Sequence, residues 1–234
     1  MDYSKSCKYS IRLVEKLRSV ETKEKLDFSL INEAIHWAKK YHNGQFRKSG
    51  EPFYSHPLEV AYMVSDHLLQ TNTIVASILH DIVEDTEVTI GMILDEFGWR
   101  IAEMVDRLTR DRPDGSKLSV ADILNNAYRK NDKEVLLIKL IDRIHNANTV
   151  IVKTPEKIQK LVQNTLANFI ILASYLNLSK REEELSDVCI KLSQLDTGCK
   201  QQNSYLFSRD IYRLPSLDFR NEINQIYNQE LQVS

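Results

Sequence analysis

Cysteine is scarce in this chain, at 3 of 234 residues, an odd number. Cys7, Cys189 and Cys199 form no C-x-x-C pair. That argues against a disulfide framework or a cysteine-held zinc site and fits a reducing compartment. Glycine and proline number only 6 and 5, too few for a fold built mainly from turns. Basic charge is not in excess: 31 Lys and Arg face 33 Asp and Glu, a formal net charge of −2. A protein that grips nucleic acid needs enough surplus cation to neutralise several phosphates, so no nucleic-acid partner is expected. No run reaches the roughly 20 apolar residues that cross a bilayer. The stretch MDYSKSCKYSIRLVEKLRSV has no apolar core of the kind a secretory signal carries. A soluble, cytoplasmic protein with no membrane partner is expected.

Apolar residues make up 42% of the chain, enough for a substantial core at this length, and their spacing is helical. Phe28, Leu30, Ile31, Ala34, Ile35, Ala38 and Tyr41 recur at i, i+3, i+4 and i+7, which predicts an amphipathic helix over 28–42, capped by Asp27 or Ser29. Residues 43–57 read as a loop, and Pro57 suits the first position of a helix over 57–69. A helix over 73–85 follows, then two short ones within 89–109 around Gly98, with Thr89 as a cap. DRPDGSK (111–117) is a loop. Helices are expected over 119–130, 133–146, 155–177 and 179–194, and no periodicity is readable over 196–234. No alternating strand of useful length occurs. The fold class is all-α.

The chemistry concentrates in residues that are costly where they stand. His80, Asp81, Glu84 and Asp85 fall within about 140° of one another on a helical wheel at 100° per residue. The preceding stretch, Ile74 to Leu79, is apolar nearly all round, as in a buried helix. Buried carboxylates cost several kcal/mol each, on the order of 5, unless a counter-charge compensates them. A divalent cation can do so. Asp142 poses the same problem inside the core run VLLIKLIDRI, and His56 lies in an awkward loop position before Pro57. Two imidazoles and two carboxylates suit Mn2+, with Fe2+ or Zn2+ as alternatives.

The order His, His-Asp, Asp resembles the signature of HD-domain phosphohydrolases. Three blocks, HNGQFRKSGEPFYSHPLEVA (42–61), ILHDIVEDT (78–86) and KLIDRIHNANT (139–149), resemble the hydrolase domain of the RelA/SpoT alarmone enzymes. The resemblance spans about 28–178. It implies an HD-domain helical bundle with a single metal site in its core, in which His56, His80, Asp81 and Asp142 hold one Mn2+. It also implies that Glu84 and Asp85 assist hydrolysis, and that Arg47, Lys48, Ser49, Asn146 and Thr149 line a guanine nucleotide pocket. The implied reaction is removal of the 3′-pyrophosphate of ppGpp or pppGpp. The sequence departs from the family at Asn148, where the motif otherwise carries a basic side chain. The expected division is an N-terminal helical segment at 1–26, a hydrolase domain at 27–178, and a C-terminal helix and tail at 179–234, similar to hydrolase-only members of the family.

Two other functions compete: a phosphohydrolase for another nucleotide (a dinucleoside polyphosphate, a deoxynucleotide or NADPH), and an alarmone-binding module without turnover. The oligomeric state is not legible. For His36, His42 and His67 the plainer reading is a satisfied core imidazole, and for His145 a role in support of the ligands. Lys180 to Glu184 reads as a solvated helix face. Tyr205, Tyr212 and Phe219 suit packing on the domain or against a partner, and the sequence does not choose between them.

Overall fold

Helix α4, Thr71–Leu79, is the element around which the others arrange themselves. Seven consecutive residues of it, Thr73 to Leu79, are buried, so it has no solvent face. In this computed structural model, residues 6–22, 25–112, 114–149 and 155–194 are described. Among them are α1 (Lys8–Val20), α2 (Phe28–Tyr41), α3 (Ser55–Val64), α5 (Ile82–Asp85), α6 (Ile90–Phe97), α7 (Trp99–Leu108), α8 (Val120–Arg129) and α9 (Lys133–Asn148). They continue with α10 (Pro155–Asn164), a π-helical turn (Thr165–Ile170), α11 (Ile171–Tyr175) and α12 (Ser179–Gln194). The described residues form no strand, only the isolated bridges Phe46–Pro52 and Asp111–Lys117. The fold is all-α, as expected. No described helix is long and apolar enough to cross a membrane. The expectations for Tyr205, Tyr212 and Phe219 lie outside the described residues.

α4 packs against α2, α3, α7 and α9. The main core runs through Ile31, Leu58, Ile74, Ile78, Ile101, Leu136 and Leu140, and α1 adds Leu13 and Leu17 to it. A smaller core joins Ala147 at the end of α9 to Ile158, Val162, Val188 and Leu192 of α10 and α12. α9 thus reaches from one core to the other.

Three helices differ from the periodicity reading, each for a local reason. The expected helix over 73–85 breaks at His80 and Asp81 into α4 and α5. His80 Nδ1 donates to the Ser77 carbonyl at 2.8 Å, which in an unbroken helix would accept from the Asp81 amide. His56 lies inside the first turn of α3, not ahead of it, and Pro57 is the third residue of that helix, not its first; a missing N–H costs nothing there, because first-turn amides lack helical partners anyway. The expected long helix over 155–177 widens into the π turn, where Thr165 Oγ1 and Asn168 Nδ2 donate to carbonyls four residues back. The charged stretch 180–184 is also not purely solvated. Arg181 bonds His67 and Glu184, and Glu182 accepts from Ser174.

Gly98 joins α6 to α7 at φ 81° and ψ 171°, a region open almost only to glycine. Nothing stands within 4 Å of a Cβ placed there, so the penalty for a side chain is purely conformational. Gly98→Ala is expected to cost about 1–3 kcal/mol. A chemical-denaturation midpoint equal to wild type would refute this.

Candidate metal centre

Four side chains from three stretches meet in the core. His56 comes from the first turn of α3, His80 and Asp81 from the break between α4 and α5, and Asp142 from the middle of α9. His56 and His80 are each 1% exposed and Asp142 8%. The tightest grouping is His56, His80 and Asp142, with one ligand atom from each within 4.8 Å of the others. His56 Nε2 lies 3.2 Å from Asp142 Oδ1 and 3.4 Å from Asp81 Oδ2. His80 Nε2 lies 3.2 Å from Asp81 Oδ1 and 3.7 Å from Asp142 Oδ1. Two ligands about 2.1 Å from one ion and at right angles to each other stand about 3.0 Å apart, so this spacing suits a shared cation.

The hydrogen bonding selects the atoms that would hold it. His80 Nδ1 is spent on Ser77. His56 Nδ1 meets His145 Nδ1 at 2.8 Å. His56 Nε2 and His80 Nε2 are buried without a hydrogen-bond partner, an arrangement that folded proteins rarely leave uncompensated. With a metal in place of any proton on them, these two nitrogens and the two facing carboxylates are a donor set for a divalent cation, and the residues fit one. Burial and the neighbouring charges of His56 and Arg47 push His145 down to about 3. Its ring is therefore neutral, and it accepts from His56 when His56 Nε2 is free to ligate.

The same charges show how strongly the centre wants a cation. Burial alone would lower His80, but Asp81 and Asp142 outweigh it and push the imidazole up to about 10. Burial alone would raise Asp142; Lys139 and the two imidazoles hold it well below the usual carboxylate range. Lys139, read from sequence as one more residue of an apolar run, puts its ammonium 3.3 Å from Asp142 Oδ2, leaving Oδ1 to the imidazoles and to the Asn146 amide.

The other expected site residues divide. Arg47 Nη2 donates to Asn146 Oδ1 at 3.0 Å and to Thr149 Oγ1 at 3.3 Å. Asn146 Nδ2 donates in turn to Asp142. Arg47, Asn146 and Thr149 are therefore joined to the centre, while Lys48 and Ser49 are exposed at a hairpin tip. Asn148 donates to Glu184 of α12 at 2.8 Å, so the position where the sequence departs from the RelA/SpoT pattern is spent on helix packing. Glu84 and Asp85 sit one helical turn past Asp81, whose carbonyl accepts from the Asp85 amide at 3.1 Å. Glu84 accepts from the Arg110 backbone N–H. Partial enclosure, with the charges of Asp81 and Glu84 added, pushes Asp85 up to about 6.

His42 corrects the expectation of a satisfied core imidazole. It is 1% exposed and its Nε2 has no hydrogen-bond partner. Nδ1 meets Gln45 Oε1 at 2.9 Å. Burial lowers its pKa, and the charges of Asp81, His80 and His56 act on it, which places it beside the centre. His67 does find a partner, in Arg181.

Residues 34–178 match the family described as "HD domain". A GTP pyrophosphokinase of Myxococcus xanthus is 35% identical over 173 residues, 70% of this chain and 23% of its own length. A guanosine-3′,5′-bis(diphosphate) 3′-pyrophosphohydrolase of Haemophilus influenzae is 35% identical over 158 residues, 64% of this chain and 23% of its own. The protein of the same name from Aquifex aeolicus is 35% identical over 167 residues, 69% of this chain and 23% of its own. The chain spans about a quarter of the length of these curated relatives.

Proposed function

The chain belongs to the HD-domain family, and from that premise we propose that it is a metal-dependent pyrophosphohydrolase acting in the cytoplasm on a small guanine nucleotide. It removes the 3′-pyrophosphate of ppGpp or pppGpp and leaves GDP or GTP. One observation carries the reading: two buried imidazole nitrogens without partners face the carboxylates of Asp81 and Asp142. That is the equipment of a hydrolase that activates water. Of the two activities among the relatives' names, the 3′-pyrophosphohydrolase is the one such a centre serves.

His56, His80, Asp81 and Asp142 would hold the cation, and their mixed nitrogen and oxygen donors suit Mn2+, with Fe2+ or Zn2+ as alternatives. When bound, a divalent ion supplies Lewis acidity that makes water a competent nucleophile near neutral pH. Glu84, fixed by the Arg110 amide, orients that water. Asp85, with its carboxyl near 6, holds a proton in a useful fraction of molecules and delivers it to the leaving oxygen. Arg47, anchored to Asn146 and Thr149, presents a flat guanidinium to the base or forks onto a phosphate. Lys48 and Ser49 line the nucleotide pocket from the hairpin tip.

The test is diphosphate release from a panel of nucleotides by protein of measured metal content. ppGpp with Mn2+ is expected to be the best substrate. Glu84→Gln is expected to keep its metal and lose about 10²–10⁴-fold in kcat, and Arg47→Ala to raise KM with a smaller change in kcat. Wild-type turnover by Glu84→Gln removes Glu84 from the mechanism. A panel in which another nucleotide is cleaved and ppGpp is not removes the substrate.

A further inference from the structure

Two hairpins of one construction meet the same short helix. In the first, the Arg47 amide donates to Glu51 O, the Gly50 amide to Arg47 O and the Phe53 amide to Gln45 O, at 2.8, 2.9 and 3.0 Å. In the second, the Arg112 amide donates to Ser116 O, the Gly115 amide to Arg112 O and the Leu118 amide to Arg110 O, each at 2.9 Å. Gly50 and Gly115 turn the two tips at φ 85° and 82°. Gln45 and Arg110 thus hold the same place in the two hairpins, and both reach α5. The Arg110 amide donates to the Glu84 carboxylate. Gln45 Nε2 donates to the Asp85 carbonyl at 2.8 Å.

α5 needs such holding. It has four residues, far below the length at which a helix sustains itself, and its last carbonyls have no helical partner. Gln45 satisfies one of them, and Gln45 is itself fixed. Its Oε1 accepts from His42 Nδ1 at 2.9 Å, and the His42 ring is stacked on Phe53 with centroids 4.8 Å apart. In this tautomer His42 Nε2 is a bare lone pair, buried and without a partner. The fold tolerates that cost at a ring whose other nitrogen orients one amide.

We propose that His42 and Gln45 are positioning residues for the catalytic turn. The His42 ring aims the Gln45 amide, and that amide, opposite the Arg110 backbone, sets where Glu84 and Asp85 stand relative to the metal ligands. The inference rests on the reading of Glu84 and Asp85 as participants in hydrolysis, and its structural half stands independently of the substrate.

The experiment uses the Mn2+-loaded protein. Gln45→Ala is expected to lower kcat for ppGpp by about tenfold to a hundredfold, with KM within about twofold and wild-type metal content. Amide hydrogen exchange across residues 82–88 is expected to quicken about tenfold. Gln45→Glu keeps the acceptor for His42 but has no proton for Asp85 O, so it matches Gln45→Ala. His42→Ala also matches it, whereas His42→Asn, whose amide restores a donor near Nδ1, recovers most of the turnover. The double variant His42→Ala/Gln45→Ala is no slower than Gln45→Ala, because both act through one hydrogen bond. Unchanged exchange over 82–88 in Gln45→Ala overturns the proposal, as does a loss of turnover explained by lost metal. If the wild-type protein releases no diphosphate from ppGpp, the substrate reading fails by itself and the exchange measurement alone decides the positioning role.

Discussion

Asp142→Asn will give a folded protein that holds no divalent ion and has lost nearly all turnover. The substitution keeps the shape of the side chain and a partner for Asn146, but it removes the charge on which His56, His80 and Lys139 converge. An amide oxygen is a poor substitute for a carboxylate in a site whose other donors are two imidazoles and the single carboxylate of Asp81. Turnover is expected to fall at least about a thousandfold, beyond the 10–100-fold typical when only a ligand's supporting partner is lost. A second readout needs no substrate. Mn2+ at about a hundred times its dissociation constant stabilises the form that binds it by about 2.7 kcal/mol, or about 5–10 °C in Tm for a chain of this size. Wild type should show that rise and Asp142→Asn should not. One metal per chain in the purified variant would refute Asp142 as a ligand.

The second large effect is on stability. Asp132, 3% exposed, takes a two-pronged contact from Arg100, with Nη1 to Oδ2 and Nη2 to Oδ1 both at 2.9 Å. It also accepts from Arg107 and from the Val135 amide at the start of α9. Asp132→Ala strips a cap from α9 and removes the most buried carboxylate that Arg100 and Arg107 share, leaving them Glu103 and, for Arg100, Glu134. Breaking a buried pair from one side costs about 3–5 kcal/mol, or about 10 °C in Tm. Burial alone would raise the Asp132 carboxyl, but Arg100 outweighs it and the pKa is lowered. A carboxyl depressed on folding contributes stability above its unfolded pKa of about 3.9, and that contribution disappears as pH falls through the folded value. The gap between wild type and Asp132→Ala should therefore close in acid. A constant gap from neutral pH down to the acid limit would show that the charge is not the source.

The sequence disclosed the centre more readily than the means of holding it. His80, Asp81 and Asp142 stood out because charge inside an apolar run is expensive, and Thr89, Gly98 and Asp27 because caps and positive-φ turns have strong residue preferences. Periodicity could not reveal the break at His80, which depends on a ring nitrogen capturing the Ser77 carbonyl. Nor could it separate Lys139 from the apolar residues around it, although a lysine three positions before a buried aspartate is a signal of pairing. The roles of His42, Gln45 and Arg110 depend on hairpins whose likeness is hidden in RKSGEPF and RPDGSKL and visible only in their hydrogen bonds. At Asn148 the missing basic group pointed toward the nucleotide, whereas its amide lies against α12.

Once an entering ion takes the place of any proton on the imidazole Nε2 atoms, Asp81, Asp142 and Lys139 leave one net negative charge in the hollow around it, because the lysine cancels one carboxylate. A monovalent ion entering it would reach electroneutrality and present no field to the outside. A divalent ion overshoots by one unit. The lysine that steadies Asp142 therefore also leaves the filled hollow one unit more positive than its four ligands alone would, which eases the approach of a polyanion past Glu84 and Asp85.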